Sequence, residues 1–230
     1  MDFDRVKNYY EKVYEDKKDH SFPFDQQRYQ SWLNPVAEFR DGKGRQSLDI
    51  GCGAGFVCRL LADRGFDVYG TDISEAALKL AQTHVPTGHF QISESSGRLN
   101  FKDESFDVLT CLGVLEHIIN PETVVQECCR VLKNGSKAVF VVPNAGSPYF
   151  WFGGGTSQIY EKPRSLKEWS RMFQAGGFKI QNVESDPGPT VHAHCSVSKK
   201  IKVSVNRIIG QTIRPLAYQL VFVLVKEDAV

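Results

Sequence analysis

The sequence predicts an α/β protein built on a doubly wound, mostly parallel sheet of seven strands, preceded by a helical N-terminal cap. Two observations carry that prediction. From Gln46 to Val225 short apolar runs alternate with stretches of helical periodicity, and the glycine, acidic and histidine signatures fall at the carboxyl ends of those runs, where open α/β sheets place their ligands. Composition agrees, since 230 residues with 41% hydrophobic and 24% charged side chains suit one globular unit, residues 1–230, with a full core.

Taken in order, residues 3–18 set Val6, Tyr9, Tyr10, Val13 and Tyr14 at helical spacing, and Phe22, Phe24, Tyr29 and Trp32 follow around Pro23. Residues 1–40 therefore read as the cap, whose aromatics either pack on the core or reach a ligand. After the polar turn Asp41-Gly42-Lys43-Gly44, Gln46 to Ile50 is a buried strand that runs into Gly51-Cys52-Gly53-Ala54-Gly55 and then a helix from Phe56 to Arg64. Glycines in such a turn let a ligand approach the backbone, and the following helix start offers unpaired N–H groups.

The second strand, Phe66 to Thr71, ends in Asp72, an acidic residue suited to a ribose diol, and Ser74 caps a helix from Glu75 to Thr83. A dinucleotide fingerprint requires G-x-G-x-x-G, but Phe56 follows Gly55 and would crowd a pyrophosphate. No Gly-Lys-Ser/Thr follows to cradle a triphosphate either. A less anionic nucleoside remains.

Gly88 to Ile92 is the third strand, followed by the loop Ser93-Glu94-Ser95-Ser96-Gly97. Phe106 to Leu112 is almost continuously apolar, as expected of a central parallel strand, and delivers Gly113 to His117. Pro121 opens an amphipathic helix that is expected to stop at Asn134-Gly135, and Ala138 to Val142 is the next strand. Residues 145–164 hold Tyr149-Phe150-Trp151-Phe152 and Gly153-Gly154-Gly155, the composition of a lid over an aromatic or apolar substrate or of a hydrophobic plug. Ser165 caps a helix from Leu166 to Ala175, Gly176-Gly177 end it, and Phe178 to Val183 is a strand. Residues 186–213 form a variable insertion before the last strand, Tyr218 to Val225.

In chain order, Asp49-x-Gly51-x-Gly53-x-Gly55, Asp72, Ser105-Phe106-Asp107-Val108-Leu109 and Val114-Leu115-Glu116-His117 resemble the class I S-adenosylmethionine-dependent methyltransferases over residues 46 to 144. Leu115-Glu116-His117 with Pro121, and Val142-Pro143-Asn144, are similar to the ubiquinone-biosynthesis O-methyltransferase branch and its small-molecule relatives. The resemblance implies the Rossmann-like methyltransferase fold with an antiparallel last strand, S-adenosylmethionine as cofactor, and methyl transfer to a small molecule, most often at oxygen. It also implies roles. Asp49 and the backbone of Gly51, Cys52, Gly53 and Gly55 hold the methionine part. Asp72 takes the ribose hydroxyls, with Ile73 beside adenine. Glu94 or Ser95 accepts from the adenine amino group, where relatives carry an Asp, and the Leu112 or Gly113 carbonyl receives the cofactor's amino group.

His117 is the expected base, oriented by Glu116, unless the pair only caps the following loop. Some quinone-branch relatives bind a divalent metal through Glu-x-x-Glu-His, but Gly113 stands where the first Glu belongs, so no metal is expected. Transfer to a small amine, or binding of the cofactor without catalysis, are the alternative readings. The signature of exocyclic-amine methylation, Asn/Asp-Pro-Pro-Tyr/Phe, is missing from Val142-Pro143-Asn144-Ala145.

Global properties narrow the partners. A net charge of +1 gives no attraction to nucleic acid. The six cysteines contain no CxxC pair, which disfavours a disulfide or zinc framework and predicts a reducing, cytoplasmic setting. The start of the chain does not resemble a signal peptide, and Leu220 to Val225 is too short to cross a bilayer. His192 and His194 lack neighbouring ligands for a metal, and the basic stretch from Lys199 to Arg214 reads as a solvated face or, at most, a weak peripheral membrane contact.

Overall fold

The computed structural model describes residues 2–16, 26–151, 159–186 and 216–227. The expected glycine run 153–155, His192, His194 and the basic stretch lie outside these described residues.

Seven strands form one sheet: β1 (Gln46–Ile50), β2 (Asp67–Asp72), β3 (His89–Ile92), β4 (Phe106–Leu112), β5 (Leu132–Pro143), β6 (Phe178–Asp186) and β7 (Gln219–Lys226). Their order is β3-β2-β1-β4-β5-β7-β6. β1 pairs in parallel with β2 and β4, whereas β7 inserts antiparallel between β5 and β6. The reversal of strand order on either side of β1 opens a crevice above the carboxyl ends of β1 and β4, and parallel crossovers of this kind place ligands there.

The helices are α1 (Phe3–Asp16), α2 (Gln26–Leu33), α3 (Phe56–Ala62), α4 (Glu75–His84), α5 (Pro121–Val131), α6 (Pro148–Trp151) and α7 (Leu166–Ala175). Alternating strand residues feed two apolar layers, one on each face of the sheet. Leu33 and Leu61 from α2 and α3 pack with Val139, Val141 and Val223 on one face. Val125 and Cys128 from α5, with Trp169 and Phe173 from α7, pack with Phe140 and Phe222 on the other. Trp169 is fully buried and donates its indole N–H to the Pro143 carbonyl at 2.9 Å, which satisfies the polar atom that burial would otherwise penalise.

Local signals act as expected at the caps. Ser74 accepts the Ala77 N–H, and Ser165 with Glu168 forms a reciprocal capping box at α7. One boundary is corrected. α5 stops at Val131 instead of continuing to Asn134-Gly135, and Leu132 already belongs to β5. The cause is tertiary: the carbonyls of Arg130 and Val131 accept the N–H groups of Glu104 and Ser105 at 3.1 and 2.8 Å, while Lys226 Nζ donates to the Leu132 carbonyl at 2.9 Å. These partners satisfy the helix end earlier than the sequence-adjacent Asn-Gly would. β6 likewise runs three residues past Val183 to Asp186, whose carboxylate takes Arg28 Nη2 of α2 at 2.5 Å.

Candidate functional site

A cleft of about 670 Å³ opens above the carboxyl ends of β1, β2 and β4 and is roofed by α1. The glycine loop forms its floor. Gly51 and Cys52 both donate their N–H groups to the Thr71 carbonyl of β2, at 2.7 and 2.9 Å, which folds the chain back over the strand end. That fold needs Gly51 at φ 69° and Gly53 at φ 51°, in the left-handed region that side chains disfavour. A Cβ at Gly51 would collide with the Val114 side chain, and one at Gly53 with the Tyr14 hydroxyl.

Two carboxylates brace this floor from below and beside it. Asp49, 3% exposed, accepts the Thr110 hydroxyl at 2.6 Å and lies 3.8 Å from the Cys58 thiol. Burial pushes its pKa up to about 7, against the opposing pull of those two hydrogen bonds. Asp72 accepts the Gly53 N–H on Oδ2 at 2.9 Å and the Ser74 N–H on Oδ1 at 3.0 Å. Burial raises its pKa as well, and these backbone donors offset part of the rise. Asp72 thus ties the glycine loop to the first turn of α4.

Of the residues singled out by the sequence, Asp49, Gly51, Cys52, Gly53, Asp72, Ile73, Glu94, Ser95, Leu112, Gly113 and His117 all line the cleft. Gly55 does not. It is the N-cap of α3, at φ 82°, and a Cβ there would press into the backbone of Ala81, so this glycine serves the close packing of α3 on α4. Glu116 does not line the cleft either. It is buried beside His117, 4% exposed, with Oε2 making no hydrogen bond, and burial pushes its pKa up to about 8.

His117 ends a short 3₁₀ turn, Leu115–His117, that follows β4. Its Nδ1 is hydrogen-bonded to the Tyr160 carbonyl. A carbonyl only accepts, so Nδ1 carries the proton and Nε2 of the neutral ring keeps its lone pair. Nε2 lies 3.7 Å from Glu116 Oε1, beyond hydrogen-bond reach. The 159–164 strap therefore holds the ring through Tyr160, with Glu116, the partner expected from the sequence, 3.7 Å from the other ring nitrogen. The same strap donates the Lys162 N–H to the Glu116 carbonyl at 2.9 Å. Burial lowers the His117 pKa, which favours the neutral ring.

Sequence reasoning missed several contributors. Tyr160 acts through its backbone, which leaves no side-chain signal. His84 donates Nδ1–H to the Ala54 carbonyl at 2.7 Å and stacks on Phe56, holding the loop from behind. Arg98, Val114, Ile118 and Ile119 also line the cleft. The tyrosines of α1 were legible from their helical spacing: Tyr14 reaches Gly53, and the Tyr10 ring meets His117 edge-on at 6.1 Å. Among the described residues no group of three or more His, Cys, Asp or Glu side chains is arranged to hold a metal ion, and no helix is long and apolar enough to cross a membrane.

A nucleoside-sized cleft on a crossover sheet, floored by an acidic-glycine loop and flanked by an acidic strand tip, defines a protein that binds a nucleoside cofactor at the switch point of an α/β sheet. Comparison with known proteins narrows this class. The family described as Methyltransferase domain matches residues 48–140. The ubiquinone biosynthesis O-methyltransferase of Hahella chejuensis is 34% identical over 156 residues, which cover 62% of this chain and 64% of that protein. The ubiquinone biosynthesis O-methyltransferase of Pseudomonas entomophila is 31% identical over 190 residues, covering 74% of this chain and 79% of that protein. Among solved structures, a chain from the complex between the Haloferax volcanii Trm112 methyltransferase activator and a methyltransferase has a TM-score of 0.71 at 18% identity, covering 98% of this chain and 99% of that one, a likeness of fold.

The chain belongs to the class I S-adenosylmethionine-dependent methyltransferases. Its match spans a little under two thirds of the Hahella protein's length. S-adenosylmethionine is the cofactor of this family, and the residues present suit it: Gly51 and Gly53, where a Cβ would collide with Val114 and Tyr14, bring bare backbone to the cleft beside Asp49 and Asp72, two buried carboxylates that favour a cationic ligand.

Proposed function

We propose that the protein transfers a methyl group from S-adenosylmethionine to a hydroxyl oxygen of a small, largely apolar acceptor. The observation that carries this reading is His117, a buried imidazole at the cleft wall whose tautomer is fixed by the Tyr160 carbonyl so that Nε2 is free to take a proton.

S-adenosylmethionine supplies a methyl group already activated on a positively charged sulfur. The protein's task is then positioning, which can account for about 7–11 kcal/mol of barrier reduction, more than a general base contributes. Asp49 and the backbone of Gly51, Cys52 and Gly53 hold the methionine part. Asp72 holds the ribose hydroxyls through its remaining lone pairs, Ile73 packs beside adenine, and Glu94 or Ser95 accepts from the adenine amino group. The Leu112 or Gly113 carbonyl would receive the cofactor's amino group.

Val6, Tyr10, Val114, Ile118 and Ile119 make the acceptor end apolar, which favours an aromatic or aliphatic body. His117 Nε2 takes the acceptor's hydroxyl proton as the oxygen attacks. The names of the curated relatives, which are O-methyltransferases, support oxygen as the receiving atom.

Calorimetry with S-adenosylmethionine and S-adenosylhomocysteine, followed by mass-spectrometric detection of methyl transfer to a panel of phenols and matched anilines, tests the reading. Binding of both cofactor forms with transfer to phenols is expected. Transfer to the amines alone would replace oxygen by nitrogen, and no cofactor binding would remove the enzymatic reading.

A further inference from the structure

The roof of the cleft is α1, and it is fastened to the rest of the protein at a defined point. Glu11 Oε1 accepts the N–H of Ala76 at 3.1 Å. Ala76 is the second residue of α4, where backbone N–H groups have no partner within the helix. Ser74 takes the next N–H, that of Ala77, from within the same segment, while Glu11 reaches its target from 65 residues away. A carboxylate at a helix N-terminus is also favoured by the helix dipole. The second fastening, Lys7 Nζ to Glu75 Oε1, is 3.9 Å long with side chains 34% and 64% exposed, and so adds little.

Glu11 lies on α1 between Tyr10 and Tyr14. Fixing its carboxylate on α4 fixes the rotation of α1, with Tyr14 against Gly53 and Tyr10 against His117. Its other oxygen, Oε2, is buried without a hydrogen bond, an arrangement that a helix held only by apolar packing would not require. The α4 turn it grips begins directly after Asp72 and Ile73, the strand tip that carries the ribose end of the cleft.

We infer that Glu11 is a positioning residue for the methyl transfer proposed above: docked on the first turn of α4, it sets both tyrosines of α1 into the cleft wall. It couples the roof to the cofactor's ribose end. The inference rests on the cofactor occupying this cleft.

The test uses the full chain and three variants, Glu11→Ala, Glu11→Gln and Lys7→Ala, with S-adenosylhomocysteine dissociation followed by stopped-flow tyrosine and tryptophan fluorescence, and KM and kcat measured separately. Glu11→Ala should raise the dissociation rate and the KM for S-adenosylmethionine about tenfold, the effect of one charge-assisted hydrogen bond, with kcat within about threefold. Glu11→Gln keeps an oxygen for the Ala76 N–H and should recover most of the loss, to within about threefold of wild type, and it stands in if the alanine variant fails to fold. Lys7→Ala should stay within about twofold. Wild-type binding in Glu11→Ala would overturn the inference alone, as would parallel losses of melting temperature and kcat that glutamine does not rescue. Failure of the wild type itself to bind S-adenosylhomocysteine would remove the underlying reading instead.

Discussion

The two ends of the cleft are built on opposite plans. At the glycine end the ligand surface is backbone: Gly51 and Gly53 in left-handed conformations, held by the Thr71 carbonyl, the Asp72 carboxylate and His84 behind Ala54. Polar groups there are multiply bonded. At the His117 end the surface is side chains: His117 hangs on one carbonyl of the 159–164 strap, and the neighbouring Glu116 keeps a buried oxygen with no hydrogen bond. A backbone floor tolerates almost no substitution because every change alters the chain path, whereas a side-chain wall can lose its chemistry and keep its shape.

The sharpest way to break this contrast is Gly51→Ala. The left-handed φ costs about 1–3 kcal/mol of strain, and Val114 must move as well, so S-adenosylhomocysteine affinity should fall by about 10²-fold or more in calorimetry. Near-wild-type binding would show that the floor is not rigid.

His117→Ala probes the other plan. Turnover should fall by about 10²-fold while cofactor affinity stays within about twofold, because the ring is not part of the glycine floor. On the proposed base role the neutral imidazole is the active form, so wild-type turnover should decline as pH falls through a pKa below the ordinary 6.5, and the variant should lack that limb. Joint loss of melting temperature and cofactor affinity would mark His117 as structural.

Asp72→Asn and Asp72→Ala sharpen the difference within the glycine end. The asparagine keeps one oxygen for either Gly53 or Ser74 and should bind S-adenosylhomocysteine about tenfold more weakly than wild type, whereas alanine frees both N–H groups and should be weaker still. Equal affinity in all three would take Asp72 out of the site.

The smallest effect concerns Glu116. With a folded pKa of about 8 against an ordinary 4.5, the folded chain keeps a proton that the unfolded chain releases between those values. Stability therefore falls as pH rises through that window and levels off above it. Glu116→Gln should match wild type near pH 5 and melt higher near pH 9, by about 2–4 °C for each kcal/mol recovered. Asp49, pushed up to about 7 from 3.8, adds a fall of the same sign over a narrower window in both proteins. Identical melting curves at both pH values would mean that Glu116 ionises freely in the folded state.

Much of the fold was legible because its signals are local and periodic. Strand β4 announced itself as an almost continuously apolar run, β1 as a short buried strand after a polar turn, Ser74 and Ser165 as caps, and the α1 stripe by its helical spacing. The α5 boundary was not legible, since it is set by Lys226 and the turn at Glu104 and Ser105, partners far away in sequence. Within the site the same division holds. Asp49, Gly51, Gly53 and Asp72 lie close along the chain at strand ends, so their order alone places them together. Gly55 belongs to the same pattern, yet its place beneath Ala81 emerges only when α3 packs on α4.

By itself, then, the sequence determined the alternation of strands and helices, the left-handed turn after Ile50 and the residue types at each strand tip, because these follow from short-range sterics and burial period. Tertiary structure alone decided which nitrogen of His117 bears the proton, which oxygen of Glu116 goes unpaired and where Glu11 lands. The first and the last are contacts between segments that nothing in the intervening chain encodes, His117 with Tyr160 and Glu11 with Ala76, and the second is a buried oxygen to which the fold brings no donor.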